Sequence, residues 1–332
     1  MSIGLSIKFE IHIHIDKKDK DVQPKKEGTT IKSTSHSDAL QLAEQELKKW
    51  KGSLSPSTMD NYVTALRSFK QYLSAEVGIH VINHETIKGY ERWLRNRQLC
   101  LNTISCYMRS LRSLFNKIYK DGKRVDWFDG VFTGRVNTEK RSVPESDIQK
   151  LSRLKLKPLS FACLVRDLFI FSFYALGMPF VDLAFLKKNQ IKGDKIVYYR
   201  HKTGQSITIK LEPCMKDIIN RYLTDSRDYV FPIIKSSDKD KAYAEYQKML
   251  NRYNKKVKKL AQKAGVQNRL TSYTPRHTWA SLAYSNCIDL HVISKGLGHT
   301  NPQTTLTYIR QIDDNRLEEA NHSIVTRVVS GT

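Results

Sequence analysis

The run 168-LFIFSFYALGMPF-180 is the most apolar stretch of the chain, with Arg166 and Asp167 just before it and Asp182 just after. A bilayer span takes about 20 apolar residues, so this run is too short to cross a membrane. It predicts instead a helix apolar on nearly every face, which is stable only when other elements wrap it. The chain is therefore expected to fold around a buried helix in its second half, with no membrane partner. The opening MSIGLSIKFEIHIHID has no basic start and no long apolar core, so no secretory signal is expected. Five scattered cysteines, an odd number without a CxxC pair, fit a reducing cytoplasm and argue against a disulfide framework or a zinc site.

A length of 332 residues exceeds what one compact core usually needs, so two domains are expected. Residues 7–16 alternate apolar and polar, as a half-buried strand does, and 17–30 reads as a charged linker. His12 and His14 share one face of that strand with Glu10 and Asp16; a solvated face is the plainer reading than a metal site. Residues 38–122 carry helical periodicity throughout. In 102-NTISCYMRSLRSLFNKIYKDG-122 the apolar face is Ile104, Met108, Leu111, Phe115 and Ile118, with Gly122 as a C-cap. The other faces carry Arg109, Arg112, Lys117 and Lys120, a basic surface suited to phosphates. Periodicity then fails over 123–144, where a domain boundary is expected. Beyond it come helices near 145–153 and 159–176. A hairpin of 195-KIVYYR-200 and 206-SITIKL-211 follows, turning at 201-HKTGQ-205 with Gly204 at the tight position. A long helix near 242–264 and a final one near 312–323 complete the pattern.

Charge narrows the partner. Lys and Arg number 56 against 33 Asp and Glu, a net charge of +23, which points to a polyanion, above all nucleic acid.

Four features in the second half fit one chemistry: Lys202 in the hairpin turn, Arg276 beside His277 in 273-YTPRHTWAS-281, His299 in LGHT, and Tyr308. Asn301 and Pro302 read as N-cap and first residue of a helix carrying Tyr308 near its far end. Attack on a DNA phosphodiester builds negative charge on the non-bridging oxygens, which guanidinium and imidazole donors stabilise. A lysine can protonate the leaving sugar oxygen, and a phenol can attack and hold the phosphate as an ester. That step needs neither metal nor nucleotide. The KTGQS turn lacks P-loop spacing, and GLG at 296–298 is no dinucleotide fingerprint.

Lys in a β-turn, Arg followed by His-Thr, LGH, then Tyr nine residues after that His: this order resembles the tyrosine recombinases of the phage-integrase family, most of all those of Bacteroidetes mobile elements. The resemblance covers about residues 38 to 325. It implies a mainly α protein, with a helical core-binding domain and a mixed α/β catalytic domain holding a small antiparallel sheet. The expected organisation is an N-terminal strand and linker or small arm region over 1–35, a core-type DNA-binding domain over 36–122, a linker over 123–144 and a catalytic domain over 145–332. The implied activity is an integrase or invertase that cuts and rejoins double-stranded DNA through a 3′-phosphotyrosine and a Holliday junction, without cofactor. The two domains would grip the duplex as a C-shaped clamp. The protein would act as a homotetramer on DNA and be a monomer or weak oligomer when free, with an accessory DNA-bending protein as a further partner. Tyr308 would be the nucleophile, Lys202 the general acid, Arg276 a phosphate clamp and His299 a transition-state stabiliser. The helix after Tyr308, with Leu317, Ala320 and Ile324, would pack on a neighbouring protomer. Tyr273 occupies a position where many members have a histidine; it can hydrogen-bond the phosphate but cannot act as an imidazole acid–base group.

One departure stands out. The family's first arginine is expected within 174-YALGMPF-180, yet Leu176 and Pro179 occupy the two candidate positions and no arginine lies between Arg166 and Arg200. Arg166, about three turns upstream on the same helix, is the first candidate substitute, and Arg200 at the hairpin is another. A slow enzyme, a catalytically impaired DNA-binding relative, and a type IB topoisomerase-like enzyme are the alternatives.

Overall fold

A computed structural model describes residues 33–76, 80–119, 126–137, 141–223, 228–309 and 314–330, with only the backbone over 314–320. The expected strand at 7–16, with His12 and His14, the rest of 1–32, and Lys120 and Gly122 lie outside the described residues. Contacts divide the chain into two units, up to Asn137 and from Thr138.

The first unit is helical. α1 (His36–Trp50), α2 (Pro56–Ala75), α3 (His84–Asn96) and α4 (Leu101–Ile118) pack together, and two three-residue strands, β1 (Ser33–Ser35) and β2 (Val81–Asn83), pair antiparallel. Side-chain oxygens cap two of the helices: Ser55 accepts from the Thr58 amide and Asn83 from the Thr86 amide. On α4, Ile104, Met108, Leu111 and Phe115 are fully buried, as the periodicity requires.

The stretch expected as a linker is in part something else. Trp127, Phe128 and Val131 sit in the helical core, with Trp127 edge-on to Phe115 at 5.4 Å. Asn102 clasps Val136 by two hydrogen bonds, its Nδ2 donating to the carbonyl and its Oδ1 accepting from the amide, and Ser105 donates to the Gly134 carbonyl. Residues 126–137 thus form a strap that closes the helical unit. It carries no period because its apolar residues fill gaps between helices and do not cover one face.

In the second unit α6 (Phe161–Tyr174) is the apolar helix expected from the sequence, buried from Cys163 to Ser172 except at Arg166. Around it lie α5 (Glu145–Ser152), the short α7 (Phe180–Ala184), α8 (Pro213–Asn220), α9 (Lys239–Lys263) and α10 (Thr274–Ser285). A three-stranded antiparallel sheet stands beside them: β3 (Ile191–Lys192), β4 (Lys195–Tyr199) and β5 (Ser206–Lys210), with Tyr199 opposite Ser206. The expected hairpin is present with a third, two-residue strand. Ile196, Tyr198, Ile207 and Ile209 point to the core, the alternation of a one-sided sheet. α11 (Leu290–Leu297), α12 (Gln303–Leu306) and α13 (Asp314–Ser330) follow. Among the described residues no helix is long and apolar enough to cross a membrane.

Candidate active site

α10 carries Arg276 on its inner face, 2% exposed. Its guanidinium is fixed by backbone: Nη1 donates to the Gly177 carbonyl at 3.0 Å and Nη2 to the Leu297 carbonyl. Nη2 also meets His299 Nε2 at 3.1 Å. Nε is buried and has no acceptor. Gly177 makes this possible. It adopts φ +69°, and a Cβ there would lie 2.6 Å from the Arg276 Cα, so only glycine lets the α6–α7 connection pass this close. Leu176 beside it is also left-handed, at φ +55°.

His299 follows α11, whose helix ends in the left-handed Gly298. Arginine only donates, so Nε2 must accept from Arg276, and Nδ1 carries the proton that goes to Thr305 Oγ1 at 2.9 Å. The ring is therefore neutral. Burial, and then the positive charges of Arg276, Arg200 and Lys202, hold its pKa down at about 3. Burial first, and Arg200 second, likewise lower the Arg276 guanidinium to about 10.

Tyr308 is not on the helix expected for it. α12 ends at Leu306, and Tyr308 sits in the turn beyond. That helix starts one residue later than expected, with Pro302 as its N-cap and Asn301 before it accepting from the Gln303 amide through Oδ1, and its single turn is too short to hold a phenol in place. The main chain does so: the Tyr308 carbonyl accepts from His277 Nδ1 at 3.3 Å and from Ser281 Oγ at 3.2 Å, both on α10. The ring then lies 4.7 Å from the His277 ring, 5.1 Å from His299 and 5.3 Å from the Arg276 guanidinium carbon. His277, read from the sequence only as the neighbour of Arg276, is thus a positioning residue for Tyr308.

Lys202 is exposed at the hairpin tip. Thr203 Oγ1 donates to the Gly298 carbonyl at 3.0 Å, which ties the tip to the LGH turn. Arg200, the residue after β4, is 5% exposed and reaches the same turn: Nη1 donates to the Leu297 carbonyl at 3.0 Å and the Gly298 carbonyl at 3.4 Å. Tyr273 is the N-cap residue of α10 and is 42% exposed as a whole residue. The phenol of Tyr273 is nonetheless raised above its usual pKa, by burial first and then by Tyr308.

Arg166 does not join this group. Its Nε and Nη2 donate to Asp167 at 2.9 and 2.8 Å and its Nη1 to the Leu154 carbonyl. Asp167 is buried and also accepts from Arg221 and Tyr222. The first candidate for the missing clamp is therefore an ion-pair residue upstream on α6, held by Asp167 and the Leu154 carbonyl.

In the helical unit Arg109, Arg112 and Lys117 line one groove of about 460 Å³ on α4 with Ser113 and Asn116. In the second unit a wider groove, about 690 Å³, is lined by Arg141, Lys255, Lys258 and Arg269 beside the segment that leads to Tyr273.

Comparison with known proteins fits this geometry. The Phage integrase family model matches residues 156–315, and the Phage integrase SAM-like domain matches 38–125. The tyrosine recombinase XerD of Listeria monocytogenes is 24% identical over 274 residues, covering 77% of this chain and 88% of the relative. The Tn1549 transposon integrase, solved with a circular intermediate DNA, superposes with TM-score 0.60 at 18% identity, over 86% of this chain and 99% of the other. A lambda integrase tetramer bound to a Holliday junction superposes with TM-score 0.61 at 13% identity, over 86% and 81%.

Proposed function

We propose, for a chain that belongs to the phage integrase family and is a site-specific tyrosine recombinase, that Tyr308 is the nucleophile of its DNA-cutting step. The observation that carries this reading is the anchoring of the Tyr308 carbonyl by His277 and Ser281, which sets the phenol beside Arg276 and His299 of the same chain. The Tyr308 oxygen attacks the scissile phosphorus and releases its proton to solvent. The bond from phosphorus to the 5′-oxygen breaks, Lys202 protonates that oxygen, and the 3′-phosphate stays on the tyrosine. The 5′-hydroxyl of a partner strand then reverses the step, so the ester bond is conserved throughout. Arg276 binds the non-bridging oxygens. His299 orients Arg276 in the free protein and turns donor when a phosphate anion offsets the local positive charge. Tyr273, at the rim, contributes a phenol that hydrogen-bonds the phosphate.

The helical unit, with Arg109, Arg112 and Lys117, grips the phosphate backbone, and the second unit performs the chemistry. The DNA-bound structures of the Tn1549 and lambda integrases support double-stranded DNA as the substrate and four copies on a junction as the working assembly. α13 reaches a neighbouring copy. Its Ile324, Val328 and Val329 are exposed, while the side chains of Leu317 and Ala320 lie outside the described residues. An origin in Bacteroidetes mobile elements, a DNA-bending partner, an arm role for 1–35 and a cytoplasmic location complete this reading; the origin rests on the motif pattern, the arm on the alternation at 7–16 and the location on the scattered cysteines.

The test is a nicked suicide duplex built from the DNA flanking the gene. Wild-type protein is expected to become covalently linked to the labelled strand, and Tyr308→Phe is not. A wild-type protein that never forms the adduct overturns the reading in favour of a DNA-binding relative.

A further inference from the structure

We infer that His201 is a positioning residue for Lys202: its imidazole, seated on α7, fixes the turn that presents the ammonium to the scissile phosphate. The inference rests on the reading of Lys202 as the general acid.

The seat comes first. Asp182 in α7 and Phe185 at its C-cap are three residues apart, so they share a face. The His201 ring meets both. Its Nδ1 donates to Asp182 Oδ1 at 2.9 Å, and its centroid lies 5.0 Å from that of the Phe185 ring. A carboxylate only accepts, so Nδ1 carries the proton. The His201 amide donates to the same oxygen at 3.0 Å. Asp182 is 2% exposed, and a carboxylate so deeply buried is costly unless its oxygens are used. It spends one whole oxygen on residue 201. The other, Oδ2, has no hydrogen-bond partner among the described residues and lies 3.5 Å from Arg200 Nε.

The turn comes second. The Arg200 carbonyl accepts from the Gly204 amide at 2.8 Å, and the Arg200 amide donates to the Gln205 carbonyl at 2.9 Å, which closes the hairpin. Lys202 stands exposed at the tip, and its two chain neighbours are both tied to other elements. His201 is tied to α7, and Thr203 to the Gly298 carbonyl. The tip is also near the site, since the Lys202 charge is among those that hold the His299 pKa down. A lysine stem has four flexible carbons, so the fold can set only where it starts. The two ties set that start relative to α7 and to the LGH turn.

The side chain matters beyond the amide. Any residue at 201 can offer its backbone N–H to Asp182. Only a side chain with a donor nitrogen two bonds beyond Cβ adds the second bond, and histidine and asparagine have one. Without it the start of the turn hangs on one amide, and Lys202 samples more positions.

The experiment uses the nicked duplex that wild-type protein selects from a random pool and cleaves, in two versions. One has the ordinary 5′-oxygen at the scissile phosphate, and the other has sulfur in its place. A thiolate leaves without being protonated, so the sulfur duplex needs no general acid. His201→Leu is expected to form the Tyr308 adduct about 100-fold more slowly than wild type on the oxygen duplex, the scale of a reacting group displaced by about 1 Å. On the sulfur duplex it is expected to match wild type, as Lys202→Ala is. His201→Asn, whose amide nitrogen takes the place of Nδ1, is expected to keep the wild-type rate on both. The ratio of the two rates within one preparation cancels any loss of folded protein. Equal loss on both duplexes assigns His201 to the scaffold, and no loss on the oxygen duplex leaves it without a role; either overturns the inference, as does His201→Asn as slow as His201→Leu. If Lys202→Ala is slow on both duplexes, the general-acid reading falls and this inference with it. No adduct with wild-type protein on the oxygen duplex overturns the nucleophile reading itself, and again this inference with it.

Discussion

Arg200 and Arg276 donate to one oxygen, the carbonyl of Leu297. A carbonyl at the end of α11 carries part of the negative end of the helix, so it suits two cations. The same contact locks the LGH turn against both the hairpin and α10. Thr203 and Gly298 reinforce it from the hairpin side.

Two glycines sit at this junction and are expected to differ in cost. At Gly177 a Cβ meets the backbone Cα of Arg276, which cannot move without shifting α10. Gly177→Ala should cost about 3 kcal/mol, combining left-handed strain with overpacking, and should abolish adduct formation. At Gly298 the Cβ meets the side chains of Ile207 and Arg200, which can yield. Gly298→Ala should cost less, because those side chains can shift. Denaturant unfolding of both variants beside the adduct assay checks the order.

Asp167 is the acceptor for Arg166, Arg221 and Tyr222 while itself buried. Asp167→Asn leaves two guanidiniums without their counter-charge and should destabilise the protein by about 3–5 kcal/mol. The remaining folded protein should cleave at the wild-type rate, because this cluster lies away from Tyr308. Loss of cleavage at unchanged stability would contradict that division of labour.

His299 gives a pH signature. Its pKa is about 3 in the fold, against the ordinary value of 6.5 when unfolded. Between those values the unfolded chain binds a proton that the native protein refuses, so stability falls as pH drops from about 6.5 toward 3. The slope from this group is at most about 1.4 kcal/mol per pH unit. His299→Asn should flatten that part of the curve, measured by unfolding at a series of pH values.

Arg109, Arg112 and Lys117 line one groove on α4. If each contacts a phosphate, replacing all three with alanine should reduce the slope of log affinity against log salt by roughly 2.7, since each contact contributes about 0.9. Filter binding between roughly 50 and 200 mM salt reads the slope. An unchanged slope would place the backbone grip elsewhere, with the groove around Lys255 and Lys258 as the next surface to test.

The sequence alone determined what depends on near neighbours in the chain. The apolar run predicted α6, alternation and Gly204 predicted the hairpin, and the period of α4 predicted its buried face. The spacing of Lys202, Arg276, His299 and Tyr308 singled out four residues whose elements do meet. Local period could not show that Trp127 closes the helical core, because an aperiodic strap leaves no repeat to read. It also placed Tyr308 at the end of a helix, whereas hydrogen bonds from His277 and Ser281 hold it in a turn. Above all it ranked Arg166 before Arg200, because Arg166 is nearer along α6 to the gap at Leu176. Only the tertiary structure shows which of them lies beside Arg276. A guanidinium is steered by the acceptors around it, and Asp167 captures Arg166 while the carbonyls of Leu297 and Gly298 draw Arg200 to Arg276. Those acceptors come from distant parts of the chain, and only folding brings them together.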